Sequence, residues 1–327
     1  VGFLAALGNA VAAGVALAVH ARWREGRDVA WAPLVHAAAA WLVLLGLALG
    51  YGAWRIRALP TGAADFEVAL VQGNVEAQLR WQRSTASRVV RRYGRMTQEL
   101  LRASAAERGL PDLVVWPENA IQTPPDDPIH GRALASLATH APLLLGAPRS
   151  HTADGRRHSF NSVFLLERGG VRDHYDKRRL LPFSETHPLG RLASFGERGD
   201  LDAGEYTPGS RAALFAVGEQ RIAPLVCMEA LYPALVREAA RSGATLVANL
   251  SNDGWFAGRG GAEQHLAMVR FRAIEVRRPV VRSTTTGISA LIAPDGEIVA
   301  RLGSGEQGAL RAKLPAAPSG LTFYART

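Results

Sequence analysis

Two long uncharged runs open the chain and constrain it more than any other feature. Val1 to Val19 holds no charged residue, and neither do the 26 positions from Val29 to Trp54. A helix needs ~20 mostly apolar residues to cross a bilayer. The second run meets that length with tilt to spare, and the first just meets it. Between them lies a short polar turn, His20-Ala-Arg-Trp-Arg-Glu-Gly-Arg-Asp28. Trp23, Trp31, Tyr51 and Trp54 stand near the run ends, where amphipathic rings prefer the headgroup level. A buried hairpin in a large soluble protein is the competing reading, and uncharged runs of this length favour the membrane. A cleaved signal peptide fits poorly, because Arg55 and Arg57 follow the second run without a small-residue cleavage site. The turn carries Arg22, Arg24 and Arg27 against Arg55 and Arg57 on the other flank. That excess leans toward a cytoplasmic turn, with everything after residue 57 outside. The chain starts at Val1, already inside an apolar run, so further membrane helices on either side are expected.

A length of 327 residues predicts roughly two domains. We divide them as a transmembrane helical hairpin over 1–57, part of a larger membrane domain, and a catalytic domain over 58–327. One cysteine excludes a disulfide framework and a four-thiolate zinc site. The net charge of +9 raises nucleic acid as a partner. The 36 arginines and two lysines are scattered among 29 acidic residues, with no basic run interleaved with aromatics, so nucleic acid is discounted.

Beyond residue 58 the apolar pattern alternates between strands and helices. Phe66 to Val71 alternates as a strand. Ser84 to Arg108 reads as a helix, with Val89, Tyr93, Met96, Leu100 and Ala103 on one face. Further strands are expected at 112–116, 142–146, 162–166, 212–217, 221–226, 245–249, 280–281, 289–292 and 298–301. Helices are expected at 131–139, 233–242 and 262–277. Gly218-Glu219 and Pro294-Asp295-Gly296 mark hairpin turns. This order implies a mixed-sheet α/β domain with helices covering the sheets.

Three residues carry chemistry. Cys227 follows the strand Ile222-Ala-Pro-Leu-Val and precedes a helix, so it projects from a tight turn beside free backbone N–H groups. Glu118 also closes an apolar strand, a position typical of α/β active sites. Lys177 is one of only two lysines in a chain that otherwise uses arginine. A compact ammonium suits an oxyanion or a nearby thiol better than a guanidinium does. Each alone has a bland reading: an inert buried thiol, a helix-start carboxylate, a surface lysine. No clustered His, Cys or carboxylate spacing suggests a metal, and no dinucleotide or phosphate-binding glycine loop calls for a cofactor.

Together, in the order Glu–Lys–Cys, the three resemble the nitrilase (carbon–nitrogen hydrolase) superfamily. The motifs are Val-Val-Trp-Pro-Glu118, Tyr-Asp-Lys177-Arg-Arg-Leu-Leu-Pro-Phe and Leu-Val-Cys227-Met-Glu229. The resemblance runs from about Phe66 to Leu310. It implies an α-β-β-α sandwich, with Glu118 as general base, Lys177 as oxyanion stabiliser and Cys227 as nucleophile. With the membrane hairpin, the chain resembles one branch in particular, the apolipoprotein N-acyltransferases. Val71-Gln-Gly-Asn74 with Trp81, Pro182-Phe-Ser-Glu185, Asn249-Leu-Ser-Asn-Asp-Gly-Trp-Phe256 and Tyr324-Ala-Arg-Thr327 carry that likeness. Two positions depart from the pattern: Met228 where an aromatic is common, and Ser184 where glycine is usual.

The resemblance implies acyl transfer from a phospholipid, through a Cys227 thioester, to the α-amine of a diacylglyceryl-cysteine on an apolipoprotein. Phospholipid, lipoprotein and membrane lipids are then the partners, no cofactor is needed, and the setting is a bacterial inner membrane with the catalytic domain on the periplasmic side. The alternatives are a membrane-tethered amidase or nitrilase with the same triad, and a non-enzymatic scaffold. Around the triad, Glu185 and Glu229 either orient Lys177 or Cys227, or form salt bridges with nearby arginines. The Met228 N–H is a second oxyanion donor. Trp81, Trp255 and Phe256 either line an acyl groove or pack in the core. Gly258 to Gly261 is either a mobile lid or an ordinary loop. His265 is read as a packing or surface residue.

Overall fold

The computed structural model describes residues 2–60, 62–75, 85–107, 109–186, 206–256 and 259–327. The chain divides into two compact units, Val1–Leu59 and Pro60–Thr327.

The first unit is a pair of helices, α1 (Gly2–Arg24) and α2 (Trp31–Arg57). Both are long and apolar enough to cross a membrane, and almost nothing in them is buried within the protein. Their contact is local: Trp41 packs on Gly8 and donates its indole N–H to the Leu4 carbonyl at 2.9 Å.

The second unit is two six-stranded sheets packed face to face. The first holds β1 (Ala63–Gln72), β2 (Leu113–Val115), β3 (Leu143–Ala153), β4 (Arg156–Glu167), β5 (Gly170–Asp176) and β12 (Gly308–Pro315), in the order β12-β1-β2-β3-β4-β5. The second holds β6 (Phe215–Val217), β7 (Gln220–Val226), β8 (Leu246–Ser251), β9 (Val280–Thr284), β10 (Ser289–Ile292) and β11 (Ile298–Leu302), in the order β11-β10-β9-β8-β7-β6. Side chains alternate across a strand, so a strand buried on both faces feeds two cores. In β1, Phe66, Val68 and Leu70 enter the inter-sheet core beside Ile222, Val226, Leu246 and Val281. Ala69 and Val71 point the other way, toward α3 (Ala86–Glu107) and α4 (Gly131–Ala138). On the second sheet, Leu225, Val247 and Val280 face α5 (Pro233–Arg241) and α6 (Arg259–Val276). A short α7 (Phe323–Arg326) follows. The layers are therefore α-β-β-α, as the resemblance implied.

The α3 face is the one expected from its spacing except at Ala103, which is exposed, the inward position there being Ser104. Val89, Tyr93 and Met96 are buried with Leu100 partly so, and the Tyr93 ring lies 5.1 Å from Trp116. Both expected hairpins form, β6–β7 and β10–β11. Two strands had no expectation. β5 is an edge strand whose polar residues interrupt any apolar alternation. β12 does alternate, but through Leu310, Ala312 and Leu314, of which only Leu314 is fully buried. β3 and β4 run well past their apolar segments as a polar ribbon, turned by Asp154-Gly155 with both residues at positive φ.

Gly146 on β3 is where the sheet meets the site. Its N–H donates to the Pro117 carbonyl and its carbonyl accepts from Ala120. A Cβ there would stand 2.6 Å from Glu118 Cα and 2.6 Å from the Pro117 oxygen. Both are backbone atoms that cannot rotate away. Gly146→Ala is therefore expected to cost about 1–3 kcal/mol, read from urea unfolding. A loss below about 0.5 kcal/mol would show that the Glu118 loop has slack.

Candidate active site

Three strand ends converge at one end of the sandwich. β2 runs into Trp116-Pro117-Glu118, β5 into Lys177, and β7 into Cys227. Val115, Tyr175 and Val226 just before these ends all belong to the inter-sheet core. The residues that follow therefore emerge together from between the sheets, although 59 and 50 positions separate them along the chain.

Cys227 sits on a sharp turn with φ of 52°, left-handed backbone that a side chain adopts only under constraint. A short 3₁₀ turn, Cys227–Leu231, begins there. Met228 is second in it, so its N–H belongs to the first turn, where a helix leaves its donors without intrahelical acceptors.

The thiol stands beside the Glu118 carboxylate and favours its ionised form. Lys177 Nζ lies 3.9 Å from Glu118 Oε1 and 2.7 Å from Glu185 Oε2. Asn161, a residue that sequence reasoning did not pick, splits its amide between the two acids. Its Nδ2 donates to Glu118 Oε1 at 2.7 Å and to Glu185 Oε1 at 3.0 Å. Burial strips water from Glu118, Cys227 and Lys177, and all three are shifted. Glu118 is raised above the ordinary carboxylate range, chiefly by burial, with Lys177 working against the shift. The Cys227 thiol is pushed up to about 12, by burial first and the Glu118 charge second, so it rests protonated. Burial works against the Lys177 ammonium, but Glu118, Cys227 and Glu185 together outweigh it and hold it firmly charged. A raised carboxylate beside a neutral thiol and a fixed cation is the equipment for taking one proton from sulfur and stabilising an adjacent oxyanion.

The two further acids divide the supporting work. Glu185 binds Lys177 directly, and its Oε2 also accepts the Leu181 N–H at 2.8 Å. Among the described residues Glu229 makes no ion pair with Lys177 or with an arginine head. It is fully buried and accepts the main-chain N–H groups of Val226 at 2.8 Å, Arg178 at 2.7 Å and Arg179 at 3.0 Å, with the Tyr175 hydroxyl at 2.9 Å. One carboxylate thus ties the cysteine turn to the loop after Lys177. The Arg178 guanidinium goes to Glu238 instead.

Tyr206 was also not anticipated. Its phenol is pushed up to about 12 by burial and then by the Glu118 and Glu185 charges. It hydrogen-bonds the Asn119 side chain, and its N–H donates to the Glu185 carbonyl.

The aromatic candidates fall in different places. Trp255 is 64% exposed and Phe256 is 38% exposed, which removes the core-packing reading for Trp255. Phe256 sets its ring edge-on against His265. His265 itself is buried, not on the surface. Trp81 and the first part of the Gly258–Gly261 loop lie outside the described residues. Among the described residues no group of His, Cys, Asp and Glu is arranged to hold a metal.

A family model for carbon–nitrogen hydrolases matches residues 67–321. The chain belongs to the carbon–nitrogen hydrolase family. Its similar relatives include proteins named apolipoprotein N-acyltransferase. That of Geobacter metallireducens is 36% identical over 79% of this chain and 49% of its own length. That of Caulobacter vibrioides is 32% identical over 90% of this chain and 56% of its own. The chain thus spans about half the length of the curated relatives it matches. Among solved structures, a mutant of the Nesterenkonia AN1 amidase from the nitrilase superfamily aligns at a TM-score of 0.59 and 19% identity, over 82% of this chain and 95% of that one. Saccharomyces cerevisiae Nit3 aligns at 0.58 and 19%, over 78% and 93%. At such identities these two establish the shared sandwich alone.

Asn161 gives a test within this carbon–nitrogen hydrolase site. Its hydrogen bond favours ionised Glu118. Asn161→Ala removes that bond, so Glu118 should protonate at higher pH and the acid limb of the pH–rate profile should move upward by about one unit. Single-turnover rates across pH check this. An unmoved limb would mean that Asn161 does not tune the base.

Proposed function

We propose that this chain is the catalytic part and two membrane helices of a bacterial N-acyltransferase that matures lipoproteins. The observation that carries the reading is the strained Cys227 brought beside Glu118 and Lys177, in a chain that also has two membrane-length helices. Relatives named apolipoprotein N-acyltransferase support it.

In the first half-reaction Glu118 takes the thiol proton and Cys227 Sγ attacks the ester carbonyl of a phospholipid. Lys177 Nζ and the Met228 N–H stabilise the tetrahedral oxyanion. The C–O bond breaks, Glu118 returns its proton to the departing lysophospholipid oxygen, and a thioester remains. In the second half-reaction the α-amine of a diacylglyceryl-cysteine attacks that thioester. Glu118 receives the amine proton and hands it to the leaving sulfur, and an amide forms. Each half-reaction moves one proton out and one proton back, so a single base suffices.

Both substrates are lipids held in a bilayer, and a chain anchored there meets them without extracting them. The exposed Trp255, Phe256 and Phe183 (75% exposed) suit contact with acyl chains. The helices belong to a multi-pass domain of the inner membrane, with residues 58–327 on the periplasmic side.

The test is the fate of a labelled acyl chain. Full-length protein with acyl-labelled phospholipid and a diacylglyceryl-cysteine peptide is expected to place the label in an amide on the peptide. Free fatty acid regardless of the peptide, or turnover of small amides, would favour a hydrolase. Lys177→Arg keeps the charge but replaces a compact ammonium with a bulky fork. Acyl transfer in that variant is expected to fall by at least 100-fold, about 2.7 kcal/mol of transition-state stabilisation. Near-normal transfer would remove Lys177 from the oxyanion role.

A further inference from the structure

A second buried polar cluster stands behind the cysteine turn, and the mechanism above does not use it. Arg282, Asp253, His265, Asn249 and Ser251 are all buried in the second sheet and the helix that covers it. Arg282 Nη2 donates to both Asp253 oxygens, at 2.8 and 2.7 Å, and its Nη1 donates to Asn249 Oδ1. His265 Nδ1 lies 3.1 Å from Asp253 Oδ1. A side chain at Gly287 would collide with the Asp253 carboxylate. A buried arginine–carboxylate set is costly unless every member is paired, so its position is informative.

Two arms reach from this cluster to Cys227. Asn249 Nδ2 donates to the Cys227 carbonyl at 3.1 Å, which helps to hold the left-handed turn. The other arm is Ser251. Parallel register sets Val226 beside Leu250, so the next residues, Cys227 and Ser251, lie side by side at the strand ends. The Ser251 hydroxyl and the Asn252 N–H both favour the Cys227 thiolate, against the effect of burial. The same hydroxyl lies 3.1 Å from Asp253 Oδ1.

We infer that Ser251 is a further catalytic residue, whose hydroxyl proton turns from Asp253 to the Cys227 sulfur as the thiolate forms. This rests on Cys227 being the reacting group. A serine hydroxyl carries one proton, so it serves one acceptor at a time. While sulfur is protonated, its own proton goes to Glu118 and the Ser251 proton goes to Asp253. When Glu118 takes the thiol proton, sulfur becomes the hungrier acceptor. Asp253 can release the hydroxyl because Arg282 and His265 still bind it. Arg282 and His265 also keep Asp253 ionised, down to about 2 against the effect of burial, so the carboxylate never competes as a donor. No bond to carbon is made or broken in this step. One proton rotates about the Ser251 Cβ–Oγ bond, and Asp253, His265 and Arg282 act as positioning residues.

Cys227 is the only cysteine in the chain, so its reactivity can be read without interference. Iodoacetamide alkylation of the full-length protein in detergent is measured at fixed pH for wild type, Ser251→Ala and Ser251→Thr. Melting temperature and the fraction of reactive thiol are followed for each. Loss of one hydrogen bond to the thiolate is expected to raise the thiol pKa by about one unit, so Ser251→Ala should alkylate about tenfold more slowly per reactive thiol. Its rate of acylation by phospholipid should fall by a similar factor with KM for the donor unchanged. Ser251→Thr keeps the hydroxyl and should restore both. Wild-type alkylation and acylation rates per reactive thiol in Ser251→Ala would overturn the proposal, whatever the melting temperature. If wild type forms no acyl adduct but Ser251→Ala still slows alkylation, the transferase reading fails while the role of Ser251 stands.

Discussion

The site depends on one buried ammonium. Lys177 is only 1% exposed, and an ion removed from water carries a desolvation cost of several kcal/mol. Coulomb attraction offsets that cost only with close, well-bonded partners. Lys177 has Glu185 at 2.7 Å and Glu118 at 3.9 Å, and Asn161 stitches the two acids together. One cation between two carboxylates leaves a surplus negative charge. Burial raises Glu118 and makes it ready to accept a proton, while Lys177 opposes the shift and Glu185 adds to it. In the proposed reaction the thiol proton moves to Glu118, and the negative charge passes to sulfur and then to the substrate oxygen, always within reach of Lys177. The total charge of the pocket does not change. No new charge must be buried during the reaction, which is the physical sense of a preorganised site.

Such an arrangement needs backbone fixed to a fraction of an ångström. Glu118 is set by Gly146, the only residue type that lets β3 come so close to its loop. Lys177 is set by its own N–H to the Asn161 carbonyl at 2.8 Å and by the Gly209 N–H to its carbonyl at 2.8 Å. Cys227 is set from two sides. Glu229 holds the preceding Val226 N–H and the loop after Lys177, while Asn249 holds the Cys227 carbonyl. Glu229 and Asn249 are buried, and each makes more than one bond. Losing one therefore strands several partners at once, which is why such positions resist substitution.

The three candidates were legible in the sequence for two reasons: Glu118 and Cys227 each follow an apolar run, and strand ends are where α/β sheets present chemistry, while Lys177 is one of only two lysines. The two-sheet sandwich followed from the same runs together with the family resemblance. The polar network around the triad was not legible, for a physical reason. Asn161, Ser251 and Arg282 lie in or at the end of buried strands, and a strand pattern is read by its apolar majority. A signal was present in Val280-Val281-Arg282: an arginine inside so apolar a strand requires a buried acid, and Asp253 supplies it. Of the two readings open for Glu229, the structure favours the orienting one: it binds the main-chain N–H groups of Arg178 and Arg179 and not their guanidinium heads. His265 was taken for packing or surface because a lone histidine on a helix has no partner in the local sequence; its acid lies 12 positions away.

The central claim is that Cys227 becomes acylated through this charge arrangement. The most direct measurement is the intact mass of the full-length protein after incubation with a phospholipid of one defined acyl chain and no acceptor. The expected result is a single added acyl mass that maps to Cys227, is released by neutral hydroxylamine and is absent in Cys227→Ser. An unmodified Cys227 in protein that is otherwise active, or an adduct on another residue, would contradict the account.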